Sequence, residues 1–397
     1  MPPNRNAWSA RRRLTSVGLL LALLTPGTGL AQDLPRGRIV DDVPCVDDQA
    51  QRYSLYLPST YTANRTWPVI LAFDAGGRGR RAVERYQAGA ERYGYIVAGS
   101  NNSRNGPWKR SLDAAKAMTA DITGRFPVDL KRVYTAGMSG GARVAMMVAL
   151  HPEVIAGRVR PEIAGVLASS AGFPLGEFRE SVGFPIFGTV GTEDFNYREM
   201  TDLDQTLKSP HRVVVFEGGH TWLPSELATE AIEWMEIQAM SGGMRPRDQA
   251  LVDAHFKRRT AQADGLTSGL ASMREWQSIA RDFRELKNVS ELDQRAVALS
   301  AQADVKAALD AERADAERED AMRAAMAALL EDVDTNPGFA KLQAEVSALL
   351  RQSQEVDNSS SRRMARRVLS SLRAATAGMR HPDLKALFKQ IPMTTPR

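Results

Sequence analysis

The chain has 397 residues, one cysteine, 43% hydrophobic and 25% charged residues, and a net charge of only +5. The length exceeds what one hydrophobic core usually organises, so two folded units are expected, and the ordinary balance of apolar and charged residues excludes long disorder. Arginines are scattered rather than gathered in a stripe with interleaved aromatics, which gives no case for a nucleic-acid partner. The lone Cys45 excludes an intramolecular disulfide and a cysteine zinc site.

Taken in chain order, the first segment is Arg11-Arg12-Arg13, followed by the uncharged, leucine-rich run Leu14 to Leu24 and then Pro26, Gly27, Gly29 and Ala31. These are the three parts of a secretory signal peptide, with cleavage expected near Ala31. The run falls short of the roughly 20 apolar residues needed to span a bilayer. Residues 1–31 are therefore expected to direct export to the periplasm or the exterior.

From Gln51 to Met240 short β-branched runs alternate with longer amphipathic stretches. The strand-like runs are Tyr53 to Leu57, Val69 to Phe73, Ile96 to Ala98, Val133 to Ala136, Gly165 to Ser169, Ile186 to Val190 and Val213 to Phe216. Helix-like segments lie around Ala82 to Tyr93, Leu112 to Gly124, Gly141 to Leu150, Tyr197 to Leu207 and Ser225 to Met240. Such alternation predicts an α/β unit over 32–243, with a doubly wound, mainly parallel sheet covered on both faces, and places ligands outside the carboxyl ends of its strands.

Past Gly242-Gly243 strand-like runs disappear, and apolar residues recur at helical spacing, as in Met273, Trp276, Ala280 and Phe283 or Leu342, Val346, Leu349 and Leu350. Residues 244–397 are expected to be all-α: a bundle, a short solenoid or a coiled-coil arm. Asn336-Pro337-Gly338 and Asp357 to Ser361 read as turns between antiparallel helices, and Asp304 to Asp332 as one long exposed helix. A protein partner, self-association, or bracing of the sheet would each suit this region.

The chemistry centres on Gly137-Met138-Ser139-Gly140-Gly141, which follows the strand-like Arg132 to Ala136 and precedes a helix-like run. A serine on so sharp a strand-to-helix turn needs small neighbours, because a flanking Cβ would collide with the crossing backbone. The turn then lifts the hydroxyl clear of the sheet. Such a hydroxyl needs a base, and the base needs an orienting carboxylate. Of five histidines, His255 and His381 lie in the helical region, His151 ends the helix after the turn, and His211 precedes a strand. Only His220 sits just past a strand's carboxyl end. The strand ending at Val190 leads into Gly191-Thr192-Glu193-Asp194, making Asp194 the candidate acid and Glu193 its rival. Oxyanion donors are expected from Gly140 and from the Asp74-Ala75-Gly76-Gly77 loop, with Gly76 first and Ala75 or Gly77 next. No metal or cofactor is called for.

With these residues in place, Gln51 to Met240 resembles the α/β-hydrolase superfamily, and in particular its secreted polyhydroxybutyrate depolymerase, feruloyl esterase and dienelactone hydrolase-like esterases. The resemblance rests on Phe126-Pro127-Val128-Asp129 leading into Arg132 to Gly141, on His220-Thr221-Trp222, and on the order Ser, Asp, His. It implies Ser139 as nucleophile, Asp194 as acid and His220 as base in an exported serine esterase acting on a small or polymer-derived ester. Trp108 and Trp222 are the candidate substrate contacts. A prolyl oligopeptidase-like peptidase and a non-catalytic scaffold working through the helical region stand as alternatives. Asp74 replaces the His-Gly often found at the oxyanion loop, and is expected to bond nearby backbone or to pair with Arg78 or Arg80. The short stretch between Ser169 and Ile186 leaves little room for a lid.

Overall fold

A computed structural model of the chain describes residues 34–376, 378–379 and 381–391. The candidate leader, 1–31, lies outside the described residues. Eight strands form one sheet: β1 (Ile39–Pro44), β2 (Arg52–Tyr56), β3 (Trp67–Asp74), β4 (Ile96–Ser100), β5 (Val128–Met138), β6 (Ile163–Ser169), β7 (Ile186–Gly191) and β8 (His211–Phe216). Their order is β1-β2-β4-β3-β5-β6-β7-β8, with β1 and β2 antiparallel to their neighbours and the rest parallel. The alternation read from the sequence produces this mostly parallel, helix-covered sheet.

Strand β3 explains the layering. All eight of its residues are buried, as a central parallel strand requires, and its side chains alternate between two cores. Val69, Leu71 and Phe73 join Met118, Ile122, Val144 and Val148, whereas Ile70 and Ala72 join Ala82, Tyr86, Ile232 and Met235. Helices α1 (Gly79–Tyr93), α2 (Trp108–Arg125), α3 (Gly140–Leu150) and α5 (Ser225–Ser241) supply these residues, and α4 (Tyr197–Thr206) adds Leu203 to the first core. Thus α2 and α3 cover one face, and α1 and α5 the other.

Strand β1 escaped the sequence reading. It is an edge strand, half exposed, with Asp41 and Asp42 in its middle and a register shift between Val40 and Val43. Asp42 takes φ +56° there. Edge strands tolerate charge and irregularity because only one side pairs, so the apolar alternation that betrays a core strand is missing.

The C-terminal region is all helical: α6 (Gln249–Asp264), α7 (Gly269–Phe283), α8 (Ser290–Ser300), α9 (Ala303–Glu331), α10 (Asn336–Ser353), α11 (Ser360–Thr376) and α12 (Pro382–Phe388). Val252, Trp276, Ile279, Phe283 and Leu292 close a core onto Ile237 and Met240 of α5, so α6 to α8 continue the α/β part without a break. Met326, Leu342, Val346, Val368, Leu372, Leu384 and Phe388 form a second core among α9 to α12. The long charged run does fold as one 29-residue helix, α9, mostly exposed, but Val305, Glu319 and Met326 are buried, so it is no free arm. Asn336-Pro337-Gly338, expected as a turn, is instead the first turn of α10. Thr335 caps it by accepting from the Gly338 N–H, and a proline fits where no helical N–H partner exists. Among the described residues no helix is long and apolar enough to cross a membrane.

Candidate active site

Ser139 sits between the end of β5 and the start of α3 with φ 56° and ψ −123°. A non-glycine residue held there stores roughly 1–3 kcal/mol of backbone strain. Its neighbours show why the turn needs glycine. A Cβ on Gly137 would lie 2.1 Å from the Gly141 carbonyl oxygen, and one on Gly141 would lie 2.0 Å from that of Phe73. The turn is anchored by the Ser139 N–H donating to the Ser169 carbonyl at 2.9 Å.

The structure brings Ser139, His220 and Asp194 together. His220 Nε2 is 2.8 Å from Ser139 Oγ, and His220 Nδ1 is 2.8 Å from Asp194 Oδ1. A carboxylate can only accept, so Nδ1 carries the proton toward Asp194 and Nε2 is left to accept from the serine hydroxyl. Asp194 is fully buried, and its Oδ1 also accepts from the Asn196 N–H at 2.8 Å. Glu193 points elsewhere, into an ion pair with Arg366. The loops after β7 and β8 can approach because Gly191 has no Cβ, which would meet the Gly218 carbonyl at 2.4 Å. The other histidines are engaged away from the site. His151 faces Glu177 and Glu153, His211 is buried against Ser209 and Asp204 carbonyls, His255 meets Glu233, and His381 caps α12.

Two residues of the site carried no sequence signal. Phe195 stacks on the His220 ring with centroids 4.0 Å apart and planes 29° apart. Asn105 places its side-chain oxygen 1.8 Å from where a Cβ of Gly140 would stand, while its N–H donates to the Ala75 carbonyl at 2.9 Å. It thereby packs the 101–107 loop against the turn after β3.

That turn corrects the expected oxyanion donor. The Gly76 N–H donates to Asp74 Oδ1 at 2.8 Å and the Gly77 N–H to the Asp74 carbonyl at 3.1 Å. Both are occupied by an Asx-type turn, which leaves Ala75 as the residue of the loop whose N–H makes neither bond. Gly140, at the first position of α3, keeps the free N–H and favourable dipole of a helix N-terminus.

Asp74 itself is fully engaged. Its carboxylate accepts from Arg78 Nε and from the Trp222 indole N–H, each at 2.8 Å, as well as from Gly76, while Arg80 pairs with Asp41 and Glu84. Burial works to raise the Asp74 carboxyl, but these donors outweigh it and hold its pKa below the ordinary carboxylate range. Trp222, expected to contact substrate, is only 3% exposed and packs edge-on against Tyr86. It is a strut of the core, not a wall of the cleft. Trp108 is 42% exposed at the start of α2.

Among the described residues no group of three or more His, Cys, Asp or Glu could hold a metal ion. A groove of about 460 Å³ lies between α9 and α10, lined by Met322, Met326, Leu329, Lys341, Glu345 and Leu349 among others, and shares no residue with the Ser139 site.

The mostly parallel sheet of this strand order, with helices on both faces and an all-α extension, matches the α/β-hydrolase topology. The chain matches no protein-family model and no curated protein. Among solved structures it is similar to a truncated carbohydrate esterase from gut microbiota, at 11% identity over 51% of this chain and 96% of that one, with a TM-score of 0.42. Esterase B from Lactobacillus rhamnosis matches at 14% identity over 52% and 90%, with a TM-score of 0.40. An esterase from Pyrobaculum calidifontis matches at 15% over 53% and 86%, with a TM-score of 0.38. Likenesses this distant carry no weight for the chemistry.

Proposed function

We propose that the protein is an exported serine hydrolase acting on carboxylic esters through an acyl-enzyme on Ser139. The observation that carries this reading is the unbroken relay of two 2.8 Å contacts from Ser139 Oγ through His220 to the buried Asp194. In the first half-reaction Ser139 Oγ attacks the ester carbonyl while His220 Nε2 takes its proton and returns it to the departing alcohol. Asp194 holds the imidazole in the required tautomer and stabilises its cationic form. The oxyanion is met by the N–H groups of Gly140 and Ala75. Water, deprotonated by the same imidazole, then releases the acid.

Export is part of this proposal, supported by the basic and then apolar composition of residues 1–31. The test is turnover of 4-nitrophenyl acetate beside a proline 4-nitroanilide by wild type and Ser139→Ala. Ester hydrolysis lost in the variant supports the esterase. Amide cleavage faster than ester cleavage would favour the peptidase, and no turnover of either would favour the scaffold.

A further inference from the structure

The turn after β7 carries Asp194 and, next to it, the Phe195 ring stacked on His220. Its backbone carbonyls face the helical region. Arg367 of α11 donates Nη1 to the Thr192 carbonyl at 2.8 Å, and Arg323 of α9 donates Nη2 to the Phe195 carbonyl at 3.1 Å. These two carbonyls bracket the acid. Both arginines converge on one carboxylate, Glu319 of α9, which is wholly buried. Arg367 grips its Oε2 through Nε at 2.9 Å and Nη2 at 2.5 Å, and Arg323 grips Oε1 through Nη2 at 2.6 Å. The Arg367 guanidinium also lies 4.4 Å over the Tyr197 ring, and the adjacent Arg366 holds Glu193 away from the imidazole.

A buried ionic cluster is a poor source of stability, since desolvating each charge cancels much of the attraction and well-packed apolar residues often do better. It does fix direction. The guanidinium is a rigid planar fork, so once Glu319 engages one edge of Arg367, the remaining N–H groups can point only where the Thr192 carbonyl lies. Glu319 thus aims two donors at the two ends of a single turn.

We infer that Arg323, Glu319 and Arg367 are positioning residues through which the helical region fixes the Thr192–Phe195 turn, and with it the orientation of the His220 imidazole between Asp194 and Ser139. This rests on the reading of Ser139, His220 and Asp194 as the reacting groups. The helical region is then an integral part of the hydrolase site. Displacing a reacting group by about 1 Å can cost on the order of 100-fold in rate.

The test compares the full-length wild type with Arg367→Met, with the double variant Glu319→Gln/Arg367→Met, and with Arg274→Met, which breaks only an exposed α7–α9 ion pair with Glu312. Each is read by kcat and KM on 4-nitrophenyl acetate, by Tm, and by the proton NMR signal of the His220 Nδ1–H bonded to Asp194. Arg367→Met is expected to lower kcat about 10- to 100-fold at unchanged KM and to broaden the His220 signal through exchange with water. Arg274→Met is expected to match wild type in both. The double variant removes the orphaned Glu319 charge that could keep the single variant from folding. It is expected to regain Tm while kcat and the His220 signal stay reduced, because the Thr192 carbonyl still lacks its donor.

Wild-type kcat and an unaltered His220 signal in Arg367→Met would overturn the inference, as would a double variant whose kcat recovers with its Tm. Because the NMR readout needs no turnover, a wild type that hydrolyses no ester while Arg367→Met still loses the signal would sink the esterase reading alone. An active wild type with an indifferent Arg367→Met would sink the positioning role alone.

Discussion

The indole N–H of Trp222 donates to Oδ2 of Asp74 at 2.8 Å, joining the loop that carries His220 to the carboxyl end of β3. The segment after β8 and the end of β3 are thereby tied together. Replacing Trp222 with Phe keeps an aromatic ring but deletes the donor and leaves a small cavity where the larger indole packed. A hydrogen bond to a charged group is worth roughly 1.5–3 kcal/mol, and the cavity adds to it, so Trp222→Phe is expected to lose at least about 2 kcal/mol of unfolding free energy in urea. KM should stay unchanged; a raised KM at unchanged stability would restore the substrate-contact reading.

Asp74 gives the pH dependence of that tie. Its folded pKa lies below the ordinary carboxylate value because the bonds from Arg78, Trp222 and Gly76 overcome burial. A carboxyl depressed on folding stabilises fully above its unfolded pKa of about 3.9, and the contribution fades as pH falls through the lower folded value. The stability gap between wild type and Asp74→Asn, measured by urea denaturation, should therefore be constant above about pH 5 and narrow below about pH 3.9. A gap that widens in acid would contradict this.

Strain at Ser139 is separable from its chemistry. Ser139→Gly and Ser139→Ala both delete the hydroxyl, but only glycine relaxes at φ 56° and ψ −123°. Ser139→Gly should be more stable than Ser139→Ala by about 1 kcal/mol, with both inactive. Equal stabilities in thermal or urea unfolding would show that the turn is unstrained.

How much of this was legible depended on how local the cause was. Strands β3 to β7 were readable because buried parallel strands need nearly continuous apolar runs; the buried antiparallel β2 and the valine run of the half-buried edge strand β8 carry a similar signal, whereas β1, with Asp41 and Asp42 in its middle, does not. The serine turn was readable because its steric demands fall on Gly137 and Gly141, its close neighbours in sequence. Asp194 was preferred at the end of β7 with Glu193 kept as its rival, and what draws Glu193 elsewhere is Arg366, 173 positions away and invisible to a local reading. The roles of Gly76 and Trp222 were misjudged for the same reason. Both are fixed by Asp74, and its contact with Trp222 spans 148 positions.

Cys45 is the chain's one thiol. It is buried, and burial first, then the nearby Asp121 carboxylate, push its pKa up to about 12. The thiolate is the reactive form, so the native protein should not react with Ellman's reagent at pH 8 and should release one equivalent on unfolding. Stoichiometric reaction of the folded protein would place Cys45 nearer the surface than described.

The central claim, that the Ser139 hydroxyl is an activated nucleophile, is tested most directly by intact-mass analysis after exposure to a fluorophosphonate probe. Wild type should gain a single adduct, mapped to the peptide containing Ser139. Ser139→Ala should gain none. An unlabelled wild type, or a variant labelled as fast as wild type, would contradict the account.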